Sequence, residues 1–242
     1  MGSGRGREAS RRGRRLSPAH PLDRPVWGSL VGPWEPLALR AGAALRLSPD
    51  YGPFAATADL SPSNLLDLTA FDLGDGGLDL VESEPIKAPP GLATAVQARL
   101  VQMTATAITP GGAEIDAVPL GEGDAAEMLA LAQLTRPGPF AARTQALGGF
   151  IGIRSEGRLV AMAGERMKPE GFCEVSGVCT HPDHRGRGYA GALMRLVAGR
   201  ILDRGQTPFL HSFETNLGAV ALYRALGFEV RRAVVLTVLK RR

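Results

Sequence analysis

A glycine-rich loop that leads into a helix carries the most specific chemical signal in this sequence. Residues 185–191 read Arg-Gly-Arg-Gly-Tyr-Ala-Gly, between a predicted strand, Phe172 to Thr180, and a predicted helix, Gly188 to Arg204. Small residues let backbone N–H groups approach a ligand closely, and the positive end of the helix dipole points to the same place. With the charges of Arg185 and Arg187, the loop predicts an anion site with a diphosphate as its ligand. From the loop alone, the alternative remains that these glycines only form a tight turn into the helix and bind no ligand.

A dinucleotide-binding fold is one kind of protein that could use such a loop. Gly186 to Gly191 match Gly-x-Gly-x-x-Gly, and Glu214 follows about twenty residues later, as dinucleotide-binding folds require. In those folds the loop turns directly out of its strand, whereas His181 to Arg185 intervene here. Only 28 residues follow Glu214, too few for the further strand–helix units of that fold. The dinucleotide interpretation is therefore disfavoured.

The wider pattern resembles the GNAT superfamily of acyl-CoA N-acetyltransferases. The superfamily signature, Arg/Gln-x-x-Gly-x-Gly/Ala, is met from Arg185 to Ala190. A second motif, Asn-x-x-Ala-x-x-Leu-Tyr-x-x-x-Gly-Phe, runs from Asn216 to Phe228 in the expected order. The resemblance covers about Glu114 to Leu239. Within the superfamily it is nearest to the glycine N-acyltransferase-like branch, partly through Thr207 to His211.

The resemblance implies a fold and a reaction. The expected fold is α/β (α+β), a GNAT-like mixed, mostly antiparallel central sheet flanked by helices, with a smaller N-terminal α+β region. The strands that contain Phe172–Thr180 and Phe209–Phe213 would splay apart to admit CoA. Acetyl-CoA is the implied co-substrate, with no metal, and the acceptor would be the amine of a small molecule or a peptide.

The resemblance also implies which residues bind the acyl-CoA. Backbone groups of the strand would pair with pantetheine, the loop amides would hold the pyrophosphate, and the Val178 N–H would donate to the thioester oxyanion. Asn216 would contact pantetheine, although Asn at a helix start is also an ordinary N-cap. The predicted binding residues are Val178, Cys179, Thr180, Arg185, Gly186, Arg187, Gly188, Tyr189, Ala190, Gly191 and Asn216.

Two further residues are predicted to be catalytic. An alkyl amine is mostly protonated at pH 7, so a group must take its proton before attack. Glu174, eleven residues before the loop, resembles the catalytic glutamate of histone acetyltransferases. An outward-facing carboxylate is its structural alternative, and Glu165, Glu214 or water could serve instead. Tyr223 matches the tyrosine that protonates the departing CoA thiolate, with aromatic core packing as its alternative.

The positive charge of the chain is concentrated at one end. The formal net charge is +4, and residues 1–15 contain six arginines and a single acid, so the rest is nearly neutral. Residues 1–19 are predicted to be a disordered basic tail, and nucleic acid is not an expected partner. No run approaches the eighteen or so apolar residues that span a membrane. A cytoplasmic protein without a membrane partner is expected.

The two cysteines do not predict a disulfide or a metal site. Cys173 and Cys179 are six residues apart in one predicted strand, which would place them on the same face but about 20 Å apart. The four histidines are scattered, so no ligand cluster is expected. Buried, reduced thiols are the prediction.

The chain is predicted to have two folded regions joined by a linker at 109–112. Residues 20–110 would form an N-terminal α+β region, and residues 113–242 the acetyltransferase domain with the order β-α-α-β-β-β-α-β-α-β-β. In the first region the pattern predicts helices over Glu35–Leu47 and Ala93–Met103, and strands over Leu65–Phe71 and Leu78–Val81. By resemblance this region would be a degenerate acetyltransferase half; stability or homodimer formation are the alternatives.

A second function class stays open at this point. A non-catalytic acyl-CoA-binding regulatory module would keep the loop and the fold but have no turnover. Tyr223 and Glu174 favour the enzyme, because a sensor needs neither residue.

Overall fold

Eleven strands and five α-helices build the part of the chain that the structure describes. The computed structural model describes residues 20–242, and the predicted disordered tail, residues 1–19, lies outside them. The strands are β1 (Ala38–Ala41), β2 (Ala44–Leu47), β3 (Ala55–Thr57), β4 (Leu78–Glu82), β5 (Leu92–Thr104), β6 (Ala117–Leu120), β7 (Phe150–Ser155), β8 (Arg158–Glu165), β9 (Phe172–Thr180), β10 (Thr207–Phe213) and β11 (Glu229–Arg241). The α-helices are α1 (Pro25–Leu30), α2 (Pro62–Leu66), α3 (Ala125–Thr135), α4 (Tyr189–Asp203) and α5 (Leu217–Ala225).

One eight-stranded sheet organises the fold. Its strand order is β4-β11-β5-β10-β9-β8-β7-β6, and every neighbouring pair is antiparallel except β9 with β10. A separate three-stranded sheet, β1-β2-β3, comes from the N-terminal region. The predicted mixed, mostly antiparallel sheet with flanking helices is confirmed.

The N-terminal region contributes two strands to this main sheet. β5 lies between β10 and β11 and pairs with both, while β4 pairs with the far side of β11. The boundary predicted near 110–113 therefore falls inside one continuous sheet. A deletion of residues 20–110 would leave β10 and β11 without the strand that joins them.

Three predicted elements of the N-terminal region are wrong. The predicted helix Ala93–Met103 is strand β5, because pairing on both sides satisfies its backbone and outweighs helical propensity. The predicted helix Glu35–Leu47 is instead a 3-10 turn followed by the β1-β2 hairpin. The hairpin turns at Gly42, which has φ of +53°. The predicted strand Leu65–Phe71 is the end of α2 and a 3-10 helix. Ser61 caps α2, a start signal that the hydrophobic pattern obscured.

The later elements follow the predicted order with two changes of detail. The short second helix before Leu147 is a 3-10 helix, Thr144–Leu147. The two predicted terminal strands are one strand, β11, with a register shift between Val230 and Arg232. The predicted helix over Gly188 to Arg204 is α4, which buries its apolar side against the sheet, where Leu193 and Ile201 are fully buried.

A bulge in β9 changes the faces on which its side chains lie. Met162 pairs with Cys179 and Gly164 with Ser176, so β9 contains one residue more than β8 over this stretch. Cys173 consequently packs in the core under α4, whereas Cys179 packs in the core under α3. The expectation that both thiols share a face was wrong, because a bulge reverses the alternation. Both are buried free thiols, as predicted.

The Phe150 ring fills the space over this bulge. Gly177 has φ of +64°, and a Cβ built there would lie 2.7 Å from Cε1 of Phe150. A Cβ at Gly164 on β8 would overlap the same ring. Two positions without side chains therefore make room for one aromatic ring beside the bulge.

We expect Gly177→Ala to lower the free energy of unfolding by about 2–4 kcal/mol, from left-handed backbone strain plus overlap with Phe150. Gly171→Ala is the matched control, because Gly171 has φ of +74° with no atom within 4 Å of its Cβ position. The control should lose about 1–2 kcal/mol from strain alone. Urea unfolding measures both, and equal losses would contradict the packing role of Phe150.

Candidate active site

The site lies where the one parallel pair of strands separates. β9 and β10 are paired only from Phe172–Glu174 to Thr207–Phe209. β10 stays paired with β5 as far as Phe213, so β9 leaves it and a gap opens between them. The backbone groups of β9 that face this gap have no strand partner beyond Glu174. The splaying implied by the resemblance is present.

A cleft of about 580 Å³ lies between the far end of β9, α5 and the glycine-rich loop. Eleven predicted binding residues and Tyr223 all line it, whereas Glu174 does not. Sequence reasoning missed Arg195, which follows Gly188 and Gly191 on the same side of α4 and could have been found from that spacing. The rest of the cleft wall comes from the linker, the end of α3, the 3-10 turn before Arg185 and α5. These residues are Gly112, Ala113, Thr135, Arg136, Pro137, His184, Ala219 and Leu222.

The loop presents backbone N–H groups to the cleft. Gly186 and Gly188 both have φ of +77°, a conformation that favours glycine. α4 begins at Tyr189 with no side-chain cap, which leaves its first amides without a side-chain acceptor. Arg185, Arg187 and Arg195 add positive charge around the same helix end. The arrangement fits a diphosphate.

Two buried polar atoms on the cleft wall lack protein partners. Thr180 Oγ1 and His184 Nδ1 are shielded from solvent and form no hydrogen bond with residues 20–242. Buried polar groups are nearly always satisfied, so such atoms indicate a missing partner. A ligand with donors and acceptors along its length, as the pantetheine arm of CoA has, fits them.

Tyr223 faces the cleft from α5. Its side chain packs beside the core under α4, and its hydroxyl has no hydrogen-bond partner in the described part of the chain. Burial raises the pKa of this phenol above its usual value, which keeps the proton on the oxygen at neutral pH. Asn216, at the start of the same helix, is an N-cap, since its Oδ1 accepts a hydrogen bond from the Ala219 N–H at 3.2 Å.

The environment of Glu174 argues against the predicted role as base. Glu174 is 1 % exposed, and both of its oxygens accept hydrogen bonds from the Arg166 guanidinium at 2.8 and 3.1 Å. His211 Nδ1 lies 2.9 Å from Oε1. Burial alone would raise the pKa of this carboxyl, but Arg166 and His211 outweigh it and lower the pKa to about 2. A carboxylate this acidic, with its oxygens occupied, is a poor acceptor for an amine proton.

A chain of polar side chains links Glu174 to the N-terminal segment. Gln102 on β5 accepts a hydrogen bond from Arg231 at its Oε1, so its amide nitrogen donates both to the Leu22 carbonyl and to His211 Nε2. His211 therefore donates from Nδ1 to Glu174. Arg231 in turn pairs with Asp23 at 2.7 Å. No signal in the sequence connected these distant positions.

The two other candidate bases are also engaged elsewhere. Glu165 is buried and pairs with Arg204 at 2.7 Å and Lys168 at 3.2 Å. Burial raises its pKa, but these cations prevail and the net shift is downward. Glu214 is half-exposed and pairs with Arg99 at 3.0 Å. Neither carboxylate lines the cleft.

Residues 20–242 contain no group of three His, Cys, Asp or Glu side chains placed to bind a metal ion. Within the same described range, no helix is long and apolar enough to cross a membrane.

Comparison with known proteins gives the same assignment as the fold and the cleft. The sequence profile of the FR47-like protein family matches residues 150–236. A crystal structure of a protein from Novosphingobium aromaticivorans, assigned to the GNAT family of acetyltransferases, is 46 % identical. It covers 93 % of this chain and 100 % of its own, with a TM-score of 0.85. A search of curated proteins found no match.

Two more distant structures share the fold alone. A GCN5-related N-acetyltransferase from Kribbella flavida is 22 % identical, with a TM-score of 0.57 over 83 % of this chain and 88 % of its own. A GCN5-related N-acetyltransferase-like protein from Streptococcus suis is 17 % identical, with a TM-score of 0.53 over 89 % of this chain and 92 % of its own.

The parted mixed sheet and the uncapped start of α4, together with the match to the Novosphingobium structure, identify an acyltransferase. The chain belongs to the GNAT family of acetyltransferases. None of these comparisons identifies the glycine N-acyltransferase-like branch, so that narrower resemblance stays a prediction.

We expect Glu174→Gln to lower the free energy of unfolding by about 3–5 kcal/mol at pH 7, because it leaves the buried Arg166 unpaired. The folded pKa lies below the unfolded one, so this stabilisation is complete above about pH 5 and is lost as pH falls through 4.5 towards 2. Glu214→Gln, at an exposed pair, should change stability little. Denaturant unfolding at pH 7 and pH 3 measures both. Unchanged stability with an altered pH–rate profile would instead support Glu174 as the base.

Proposed function

We propose that this protein transfers an acetyl group from acetyl-CoA to a primary amine of a small molecule or peptide, by direct attack in a ternary complex. The observation that carries the proposal is the cleft itself. It runs from the end of β9, beyond the point where β9 leaves β10, to the uncapped start of α4, with Tyr223 on its wall. Acetyl-CoA, when bound, supplies an activated thioester carbonyl and a thiol leaving group.

The loop and β9 are proposed to hold the two ends of the CoA. The amides from Gly186 to Gly191, with the positive helix end, would hold the pyrophosphate. Arg185, Arg187 and Arg195 would balance its charge. Backbone groups of Val178 to Thr180 would pair with pantetheine in the gap that β10 leaves open.

The bulge in β9 supports an oxyanion-stabilising role for Val178. Gly177 and Val178 are not among the residue pairs that form the regular ladder with β8. The Val178 N–H can therefore donate to the thioester oxygen as negative charge develops. Such donors typically contribute 10²–10³-fold in rate.

Two proton transfers complete the proposed reaction. Tyr223 would protonate the departing thiolate, since its raised pKa keeps the proton available. The amine proton would pass to water in the cleft, because Glu174 is held by Arg166 and His211. In this proposal Glu174 is a positioning residue that fixes β9 where the strands separate.

The alternative function is acyl-CoA binding without turnover. The same cleft supports it, and a regulatory module would have no use for a protonated phenol beside the bound thiol. The unpartnered hydroxyl of Tyr223 favours the enzyme.

We expect the full chain to release CoA thiol from acetyl-CoA in the presence of a primary amine. Tyr223→Phe should lower kcat by about 10²-fold or more, because it removes the proton donor and keeps the ring. Its KM for acetyl-CoA should stay nearly constant. Thiol release with a chromogenic reagent across an amine panel measures both values.

The matched control is Tyr51→Phe, which removes a hydroxyl in the N-terminal core away from the cleft and should leave kcat unchanged. Full activity of Tyr223→Phe would remove Tyr223 from the mechanism. Tight CoA binding with no turnover of any amine would favour the regulatory module.

A further inference from the structure

A second cavity, of about 360 Å³, lies between the N-terminal region and the chain that follows α3. Its walls are mostly apolar or glycine, among them Gly52, Pro53, Gly76, Pro139 and Phe140. The one charged side chain on its described wall is Arg46 of β2. We call it the Arg46 cavity.

Arg46 is a buried cation without a carboxylate partner. It is 3 % exposed, and no carboxylate oxygen of residues 20–242 lies within 4 Å of its guanidinium. Nε donates to the Leu47 carbonyl and Nη1 to the Asp72 carbonyl. Nη2 has no acceptor among the described residues.

The other strongly buried guanidinium follows the usual rule. Arg166 is paired through two nitrogens with Glu174. A buried charge is costly unless it is paired, and Arg46 lacks the negative partner that Arg166 has. An anion in the Arg46 cavity would supply that partner. Consistent with this, burial lowers the pKa of Arg46, and Asp72 offsets the shift only in part.

The Arg46 cavity borders the same chain segment as the acetyl-CoA cleft. Arg136 and Pro137 line the cleft, while Pro139 to Ala141 line the Arg46 cavity. The Phe140 ring lies 3.7 Å from the Cβ position of Gly177, in the bulge beside Val178. One aromatic ring therefore lies between the cavity and the strand segment assigned to the thioester.

We propose that the Arg46 cavity binds an oxyanion, a carboxylate or a phosphate, on the amine acceptor. Guanidinium groups recognise both anions through paired hydrogen bonds. The acceptor would then carry its amine at one end and its anionic group at the other, with Phe140 between the two sites. This inference rests on the proposed acetyl transfer and names the class of its acceptor.

A purely structural role for Arg46 predicts a different effect of its loss on the substrates. Through Asp72 it also ties down the turn after Phe71, so its loss could lower stability and affect all substrates alike. An anion-binding role affects anionic acceptors selectively. The two roles can be distinguished with acceptors that carry the same amine and differ only in whether they carry an anionic group.

The experiment compares an amino acid, its amide and an aminoalkylphosphonate of similar length, by thiol release from acetyl-CoA. We expect the wild type to prefer the anionic acceptors. Arg46→Met should raise their KM by about tenfold or more, since a charge-assisted pair is lost. KM for acetyl-CoA and for the amide should stay within about twofold.

Two variants control for folding. Arg46→Lys keeps the charge and should retain part of the preference for anions. Arg40→Met removes an exposed arginine from the neighbouring strand β1 and should change no KM. Whichever anion loses more affinity in Arg46→Met, carboxylate or phosphonate, identifies the natural group.

Failure of this inference is distinguishable from failure of the proposed function. Turnover with equal KM for the amide and both anions, or an equal loss for all three in Arg46→Met, would overturn the anion site and leave acetyl transfer intact. If no amine is acetylated, the anion site is tested by the change in melting temperature that N-acetylglycine or acetyl phosphate causes. Stabilisation of the wild type and not of Arg46→Met would support the site, and none would overturn it.

Discussion

The buried ion pair between Glu174 and Arg166 lies at the point where the structure divides into a closed sheet and an open site. Glu174 occupies the last paired position of β9 opposite Phe209, and beyond it the two strands separate. A carboxylate is tolerated there because Arg166 supplies the opposite charge, and both Arg166 and His211 donate hydrogen bonds to it where water is excluded. The network continues through Gln102 to the Leu22 carbonyl, which connects the N-terminal segment to the site.

Several unsatisfied polar groups lie along one cleft of the fold. The open edge of β9, the uncapped start of α4 and the orphaned Thr180 and His184 atoms all face one cleft. Each such group costs free energy when buried without a partner. A ligand that satisfies them together gains more than one that meets a single group, as a long ligand with a charged end would.

The N-terminal region is part of the same structural unit as the acetyltransferase motifs. β5 holds β10 and β11 together, and Arg46 and the glycine turns around it form a wall beside the segment that follows α3. Residues with no recognisable motif thereby surround the side of the fold where an acceptor is proposed to bind. This arrangement accounts for a first region without catalytic residues of its own.

Sequence alone determined the local features of this protein. The loop at 185–191 and the cap at Asn216 depend on residues close together in the chain, because glycine geometry, helix dipoles and caps act over a few residues. Tertiary structure decided the rest. It placed Ala93–Met103 as a strand between two others, put the cysteines on opposite faces and paired Glu174 with Arg166. These outcomes depend on burial and strand pairing between distant segments, which a local pattern does not contain.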